Sequence, residues 1–185
     1  MGEKAIIESK GIKVGLLAYN GWESSYNDKY LEGIKKDIDQ LKKEADLVTV
    51  YFHWGVEKEN YPTQVQKDFA HFSIDNGADL VVGSHPHVLQ GIESYQNKDG
   101  ETKMIAYSLS NFCFGGNKNP SDKDSMIYQQ TFNFEDGKLI DSEEPNIIPC
   151  SISSSKIRNN YQPTPLLGAE ANRVMNRIKA YSNNL

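Results

Sequence analysis

The sequence has few of the features that mark whole classes of protein. It contains only two cysteines, Cys113 and Cys150, in 185 residues, which is too few for a disulfide framework. No apolar stretch approaches the roughly 20 residues that cross a bilayer. Residues 1–6 carry neither a signal-peptide core nor a myristoylation signal. The sequence therefore predicts neither a disulfide scaffold nor a membrane span. Cys113 lies in an apolar run and is expected to be a buried thiol.

Clusters of positive charge are missing as well. The 20 lysines and arginines and 25 acidic residues give a net charge of −5, and no basic stretch resembles a nucleic-acid footprint. We therefore expect no nucleic-acid partner. Internal repeats and clean linkers are also absent from the sequence, so residues 1–185 are expected to form one domain with its own core.

Two apolar runs with a helical segment between them predict a β-α-β unit. The runs 47–52 and 79–82 are rich in β-branched and aromatic residues, as buried strands are. Residues 61–77 between them carry apolar side chains at helical spacing and end at Gly77, a natural helix terminator. Such a unit is parallel and right-handed, and ligands of open α/β sheets collect at the carboxyl ends of the strands.

Three of the four histidines follow these strands. His53 comes after the first run, and His85 and His87 come after the second, on either side of Pro86. Because proline disfavours a helical conformation in the preceding residue, we expect an extended segment with both imidazoles on one side and Cα atoms about 6.5–7 Å apart. Neutral imidazoles aimed at one pocket suit one metal ion or a pair of ions. A polar turn with two surface histidines explains the same residues, and His71, inside the predicted helix, is not expected to be a ligand.

The other elements are predicted from the same apolar periodicities and from turn residues. The prediction is strands at 4–8, 12–19, 88–95, 103–114, 126–134 and 138–140, helices at 30–45 and near 171–181, a polar loop at 20–29 that could border the site, and an irregular stretch at 141–167.

Several segments together resemble one family. They are HWGVE at 53–57, GADLVVGSHPHVLQG at 77–91 and YSLSNF at 107–112, with Pro62 and Gln66 between the first two. The chain resembles the CapA/PgsA family of bacterial poly-γ-glutamate capsule synthesis proteins, which is similar to calcineurin-like metallophosphoesterases. The resemblance is dense from about residue 46 to 115. It implies an α/β fold, the C-terminal part of a metallophosphoesterase-like mixed β-sheet sandwich flanked by helices.

The resemblance also implies a metal centre. His53 and His85 would ligate one ion and His87 a second, and histidine ligands favour Mn, Fe or Zn. Glu57 has three interpretations: a further ligand of the same ion, a carboxylate that supports one of these histidines, or a solvated loop residue. The Gly-Asp and Asn-His elements that complete the two-metal centre in the wider superfamily are missing from this sequence, and residues 1–52 contain no histidine.

Asn111 is expected near the same site. In the family a glycine precedes this asparagine, whereas Ser110 stands there in this sequence. Ser110 therefore argues against a close backbone approach of the kind that only glycine permits. A strand-end residue that bonds to the local backbone is the other interpretation of Asn111.

Two functions follow from the resemblance. One is a metal-dependent hydrolase, acting on a phosphoester or a γ-glutamyl amide, that works only when a missing N-terminal half of the same domain completes it. The other is a non-catalytic component that binds an anionic cell-surface polymer or supports a membrane capsule synthase. Both would act at the extracytoplasmic face of a bacterial membrane.

Overall fold

The computed structural model describes residues 2–183 and 185, so Met1 and Asn184 of the predicted domain 1–185 lie outside the described residues. The strands are β1 (Glu3–Ser9), β2 (Ile12–Gly21), β3 (Leu47–Trp54), β4 (Leu80–Ser84), β5 (Ile92–Gln96), β6 (Thr102–Ala106), β7 (Asp124–Gln129), β8 (Phe132–Glu135), β9 (Lys138–Ser142), β10 (Asn146–Ser151) and β11 (Thr164–Pro165). The helices are α1 (Asp28–Leu41), α2 (Gln64–Asp75) and α3 (Gly168–Ser182). None of these three helices combines the length and the apolarity that a bilayer span requires.

A mixed sheet carries the fold of the described residues. Its strands run in the order β1-β2-β3-β4-β6-β5. The four inner strands are parallel, whereas β1 and β5 pair antiparallel at the two edges. This arrangement confirms the predicted α/β class with a mixed sheet flanked by helices, and it includes the predicted β-α-β unit β3-α2-β4.

One face of the sheet is covered by α1 and α2. Both helices bury apolar side chains at helical spacing, as Ile34, Ile38 and Leu41 of α1 illustrate. They pack on alternate residues of the strands, among them Phe52 and Trp54 of β3, whose rings stack 4.7 Å apart. These side chains are almost completely inaccessible to solvent, so this face is the main core.

The opposite face of the sheet is open across β2, β3 and the end of β4. Because side chains alternate along a strand, Leu16, Thr49, Tyr51 and Val82 point away from the helices. They line a shallow apolar cavity of about 450 Å³, and Tyr51 is 40% exposed. The described residues thus leave this part of the sheet uncovered, whereas Leu80 and Met104 on the same face are buried.

The last third of the chain adds a second layer around α3. This helix packs Val174 and Ile178 against Leu89 and Met126, next to the small sheet β11-β10-β7. Ionic contacts support the packing, because Arg173 and Arg177 of α3 both bond to the carboxylate of Asp124 at the start of β7, and Arg173 does so at 2.7 Å. The predicted C-terminal helix is confirmed.

Several predicted boundaries are wrong. The strand predicted at 103–114 ends at Ala106, and the strand predicted at 88–95 begins only at Ile92, as β5. The stretch 141–167, predicted to be irregular, contains β10. The predicted strand 126–134 is interrupted after Gln129, and the helix predicted at 30–45 ends at Leu41. Cys113 lies beyond the true end of β6 and is exposed, whereas Cys150 is buried. Apolar runs predict burial, and they do not show where a strand leaves its sheet.

We expect Asp124→Asn to lower the free energy of unfolding by about 2–3 kcal/mol, because it leaves two arginines without their buried partner. The value is below that of a fully buried pair because the side chain of Arg173 is 45% exposed. Urea denaturation measures the change. Asp99→Asn, in an exposed turn, is the control and should stay within about 0.5 kcal/mol of wild type.

Asp124→Asn should also change how the free energy of unfolding depends on pH in acid. Burial raises the pKa of Asp124, but the hydrogen bonds from Arg173 and Arg177 outweigh this and hold the pKa below its ordinary value. A depressed folded-state pKa contributes stability above the unfolded value, and this contribution is lost as the pH falls through the folded value. Wild type should therefore lose more stability than Asp124→Asn on acidification, and equal losses would contradict this role.

Candidate metal centre

Parallel strands place the candidate residues at one edge of the sheet. His53 is the penultimate residue of β3, and it pairs in register with Asn20 of β2 and Ser84 of β4. His85 follows β4 directly. Because carboxyl ends of parallel strands meet at one edge, residues distant in sequence become neighbours there.

The side chains of the three strand-end histidines converge. The ring centroids of His53 and His85 lie 4.6 Å apart, and those of His85 and His87 lie 5.8 Å apart. Glu57 joins them from the loop after β3, since the ligand atoms of Glu57, His85 and His87 all lie within 4.8 Å of one another. His53 lies beside this trio rather than in it.

The backbone that carries His85 and His87 differs from the prediction. The segment is not extended, because φ is +100° at His85 and +59° at His87, values that L residues rarely adopt. Tertiary hydrogen bonds hold this conformation: the Lys58 amide donates to the Pro86 carbonyl at 2.7 Å, and Asn111 Nδ2 donates to the His87 carbonyl at 3.3 Å. Bonds from other segments outweigh the local preference that proline imposes.

Asn111 also orients the imidazole of His87. His87 Nδ1 and Asn111 Oδ1 are 2.7 Å apart, and an amide oxygen can only accept, so Nδ1 carries the proton. The opposite nitrogen, Nε2, then keeps its lone pair available as a ligand. Asn111 thus contacts the site through a histidine and the backbone, which combines the two interpretations of this residue.

Aromatic rings border the histidines. Trp22 approaches His53 and His85 edge-on, with centroid distances of 5.4 and 4.8 Å, and Phe114 lies 5.4 Å from His87. The sequence indicated a bordering loop at 20–29 but did not single out Trp22. Phe114 was missed because it was assigned to a strand. The position of Trp22 directly after a parallel strand next to β3 is the signal that could have found it.

The electrostatics of the site favour neutral imidazoles at His53 and His85. Burial lowers the pKa of His53, and a charge on His87 would lower it further. Burial also lowers the pKa of His85, as do charges on His53 and His87, while Glu57 acts in the opposite direction. Neutral imidazole is the form that binds a metal ion.

The donor set fits a transition-metal ion. Imidazole nitrogen and carboxylate oxygen bind Zn²⁺ and similar ions at about 2.0–2.2 Å, so two ligand atoms of one ion are at most about 4.4 Å apart. The 4.8 Å spread of Glu57, His85 and His87 is close to this limit.

His71 is separate from this cluster. It lies on α2, where its Nε2 is 3.0 Å from both carboxylate oxygens of Glu93 and its ring stacks on Tyr95 at 4.0 Å. These contacts link α2 to β5. They give His71 structural partners that do not belong to the cluster of strand-end histidines.

The fold and the site together define the class: an α/β domain with a histidine-carboxylate cluster at the carboxyl edge of its parallel strands. A family model described as bacterial capsule synthesis protein PGA_cap matches residues 2–116, which include every residue of this cluster. The chain belongs to this family. The resemblance to the CapA/PgsA family seen in the sequence is confirmed.

Curated relatives agree with this assignment. The capsule biosynthesis protein CapA of Bacillus anthracis is 36% identical over 152 residues, which are 82% of this chain and 33% of that protein. The PGA biosynthesis protein CapA of Bacillus subtilis (strain 168) is 47% identical over 77 residues, 42% of this chain and 19% of that protein. The matches thus span a third or less of these relatives.

A solved structure is also similar in part. A hypothetical protein from Thermus thermophilus shares 17% sequence identity at a TM-score of 0.47, with 79% of this chain and 61% of that chain covered.

Ser110 takes the backbone conformation that glycine prefers, with φ at +67°. We expect Ser110→Gly to raise the free energy of unfolding by about 0.5 kcal/mol, because relief of left-handed strain of about 1–2 kcal/mol exceeds the added flexibility of the unfolded chain. Ser94→Gly, the same change at an exposed position of β5, should instead destabilise by about 0.5–1 kcal/mol. Thermal denaturation measures both, and equal signs would show that the strain at Ser110 is not relieved.

Proposed function

We propose that this chain is the metal-binding part of a capsule synthesis protein whose complete form is a metal-dependent hydrolase. Its target would be a phosphoester or a γ-glutamyl amide, in line with the poly-γ-glutamate that the sequence resemblance implies. The single observation that carries the proposal is the convergence of Glu57, His85 and His87 beside His53. Family membership supports the capsule role, and the relatives' names support a place at the cell envelope, which we propose to be its extracytoplasmic face.

The residues of the site would have different roles. Glu57, His85 and His87 would hold a Mn, Fe or Zn ion, with His53 as a further ligand on the same side. Such an ion acts as a Lewis acid toward the scissile group. Asn111 fixes the tautomer of His87, and Trp22 and Phe114 pack against the imidazoles of His85 and His87.

We further propose that the remaining part of the same domain is the partner that completes the site. A two-metal centre needs more carboxylate and imidazole ligands than this cluster provides. The open apolar face of the sheet supports this partner, because alternation along β3 places His53 on the same face as Tyr51. A protein layer that covers Tyr51 and Val82 would also reach His53.

The alternative is a non-catalytic component that binds an anionic cell-surface polymer or supports membrane components of a capsule synthase. The small number of ligands supports it, since the described trio contains a single carboxylate. In that case the cluster is a structural metal site or a hydrogen-bonded remnant.

We expect this chain to bind Mn²⁺ or Zn²⁺, and the double variant His85→Ala, His87→Ala to bind at least about 100-fold more weakly. The loss should exceed the 10–100-fold typical of a residue that only supports a ligand. Calorimetric titration measures the affinity, and circular dichroism verifies that the variant is folded.

His71→Ala is the matched control, because it removes a histidine outside the cluster, and it should bind metal like wild type. Failure of the wild-type chain to bind either metal would refute the metal site. Equal binding by the double variant would refute these ligands.

Turnover separates the two functions. When this chain is joined to the rest of a family domain, we expect hydrolysis of bis-p-nitrophenyl phosphate or of γ-glutamyl-p-nitroanilide. His87→Ala should slow it roughly 100-fold or more, since a metal ion supplies several kcal/mol of transition-state stabilisation. The chain alone should turn over neither substrate. A joined protein that binds metal and cleaves neither would favour the scaffold.

A further inference from the structure

Two buried glutamines lie beneath the loop that carries Glu57. Gln66 of α2 is 1% exposed and Gln90 is completely buried, in a region where most buried side chains are apolar. A buried amide without hydrogen-bond partners costs about 1–3 kcal/mol. Glutamines at such positions therefore indicate that their partners are structurally important.

The two amides form a chain that ends on the loop. Gln66 Nε2 donates to Gln90 Oε1 at 2.9 Å, and Gln90 Nε2 donates to the carbonyls of Glu59 and Tyr61 at 2.9 and 3.3 Å. On the other side, Gln66 Oε1 accepts from the backbone amide of Thr63 at 3.0 Å. Each amide thus bonds in a defined orientation, and the carbonyls it fixes lie two and four residues after Glu57.

The rest of the loop is equally constrained. Gly55, with φ at +80°, leaves no room for a Cβ, which would lie 2.5 Å from Gln66 Oε1. Lys58 adopts a left-handed φ of +67° and donates its amide to the Pro86 carbonyl at 2.7 Å. Asn60 Nδ2 donates to the Leu89 carbonyl at 3.0 Å. The loop is therefore bonded both to the glutamines and to the turn between His85 and His87.

We propose that Gln90, oriented by Gln66, is a positioning residue that keeps Glu57 within ligand reach of His85 and His87. The inference rests on the proposed metal-binding function and adds a residue that does not itself touch the ion. Glu57 is exposed and belongs to no helix or strand, so its distance from the histidines depends on the loop backbone. Gln90 fixes that backbone through two carbonyls, and the Lys58 amide joins it to the histidine turn.

The test uses Gln90→Met, which keeps the length of the side chain and removes both donors to the loop. Hydrogen exchange at the Lys58 amide reports the loop directly and needs no metal. Exchange should accelerate at least about tenfold, because local opening then exposes the amide bonded to Pro86. Ser73→Ala, which removes a buried hydroxyl bonded to the Phe69 carbonyl of α2, is the control and should leave Lys58 unchanged.

Metal affinity shows whether Gln90 acts through Glu57. Gln90→Met should weaken Mn²⁺ or Zn²⁺ binding about tenfold, in the range of 10–100-fold found for supporting residues, and Glu57→Gln, which replaces a proposed ligand, should weaken it further. The double variant should bind no more weakly than Glu57→Gln alone, since a residue that acts only through Glu57 has no effect once that carboxylate is gone.

Two results would overturn the proposal. Unchanged exchange at Lys58 in Gln90→Met would show that Gln90 does not hold the loop. If the losses of metal affinity in the two single variants multiply in the double variant, Gln90 acts by a route other than Glu57. If the wild-type chain binds no metal, the proposed function fails instead, and exchange at Lys58 still decides whether Gln90 positions the loop.

Discussion

Parallel pairing of β2, β3 and β4 is the constraint on which the rest of this structure depends. The pairing aligns Asn20, His53 and Ser84, so the three segments that follow these strands begin at one edge of the sheet. The same register determines which face each side chain occupies. A shift by one residue in β3 would turn His53 toward α1 and α2 and turn Trp54 out of the core. Burial of the large apolar residues therefore also determines where the histidines lie.

Buried polar side chains then hold the segments that the sheet itself does not fix. Among the described residues, every buried side-chain nitrogen or oxygen has a hydrogen-bond partner. Glu93 accepts from Tyr107 at 2.5 Å and contacts His71, Asp124 joins α3 to β7, and Gln90 bonds to the loop after β3. Each group ties an irregular or peripheral segment to the core, because leaving it unpaired would cost more than ordering the segment. The site is built from segments held in this way.

The sequence predicts the sheet edge better than the site on it. Residue patterns within short windows indicate the β-α-β unit, and the carboxyl-end rule then brings His53 near His85. The positive φ of His85 and the approach of Glu57 could not be found this way, because both depend on hydrogen bonds between segments distant in sequence, such as Lys58 to Pro86. The end of β6 at Ala106 was missed for a related reason: an apolar run continues past the point where pairing stops.

The open sheet face bears on the choice between hydrolase and scaffold. Tyr51 and Val82 form part of an apolar surface on the same side as His53, and such surfaces commonly mark interfaces. An anionic polymer has little apolar area with which to cover them, so it would leave this surface exposed to water. A further layer of protein would bury it and at the same time bring new side chains to the histidines. A single protein partner would therefore bury the apolar surface and also add side chains to the site. This favours a domain completed for metal chemistry over a polymer-binding surface.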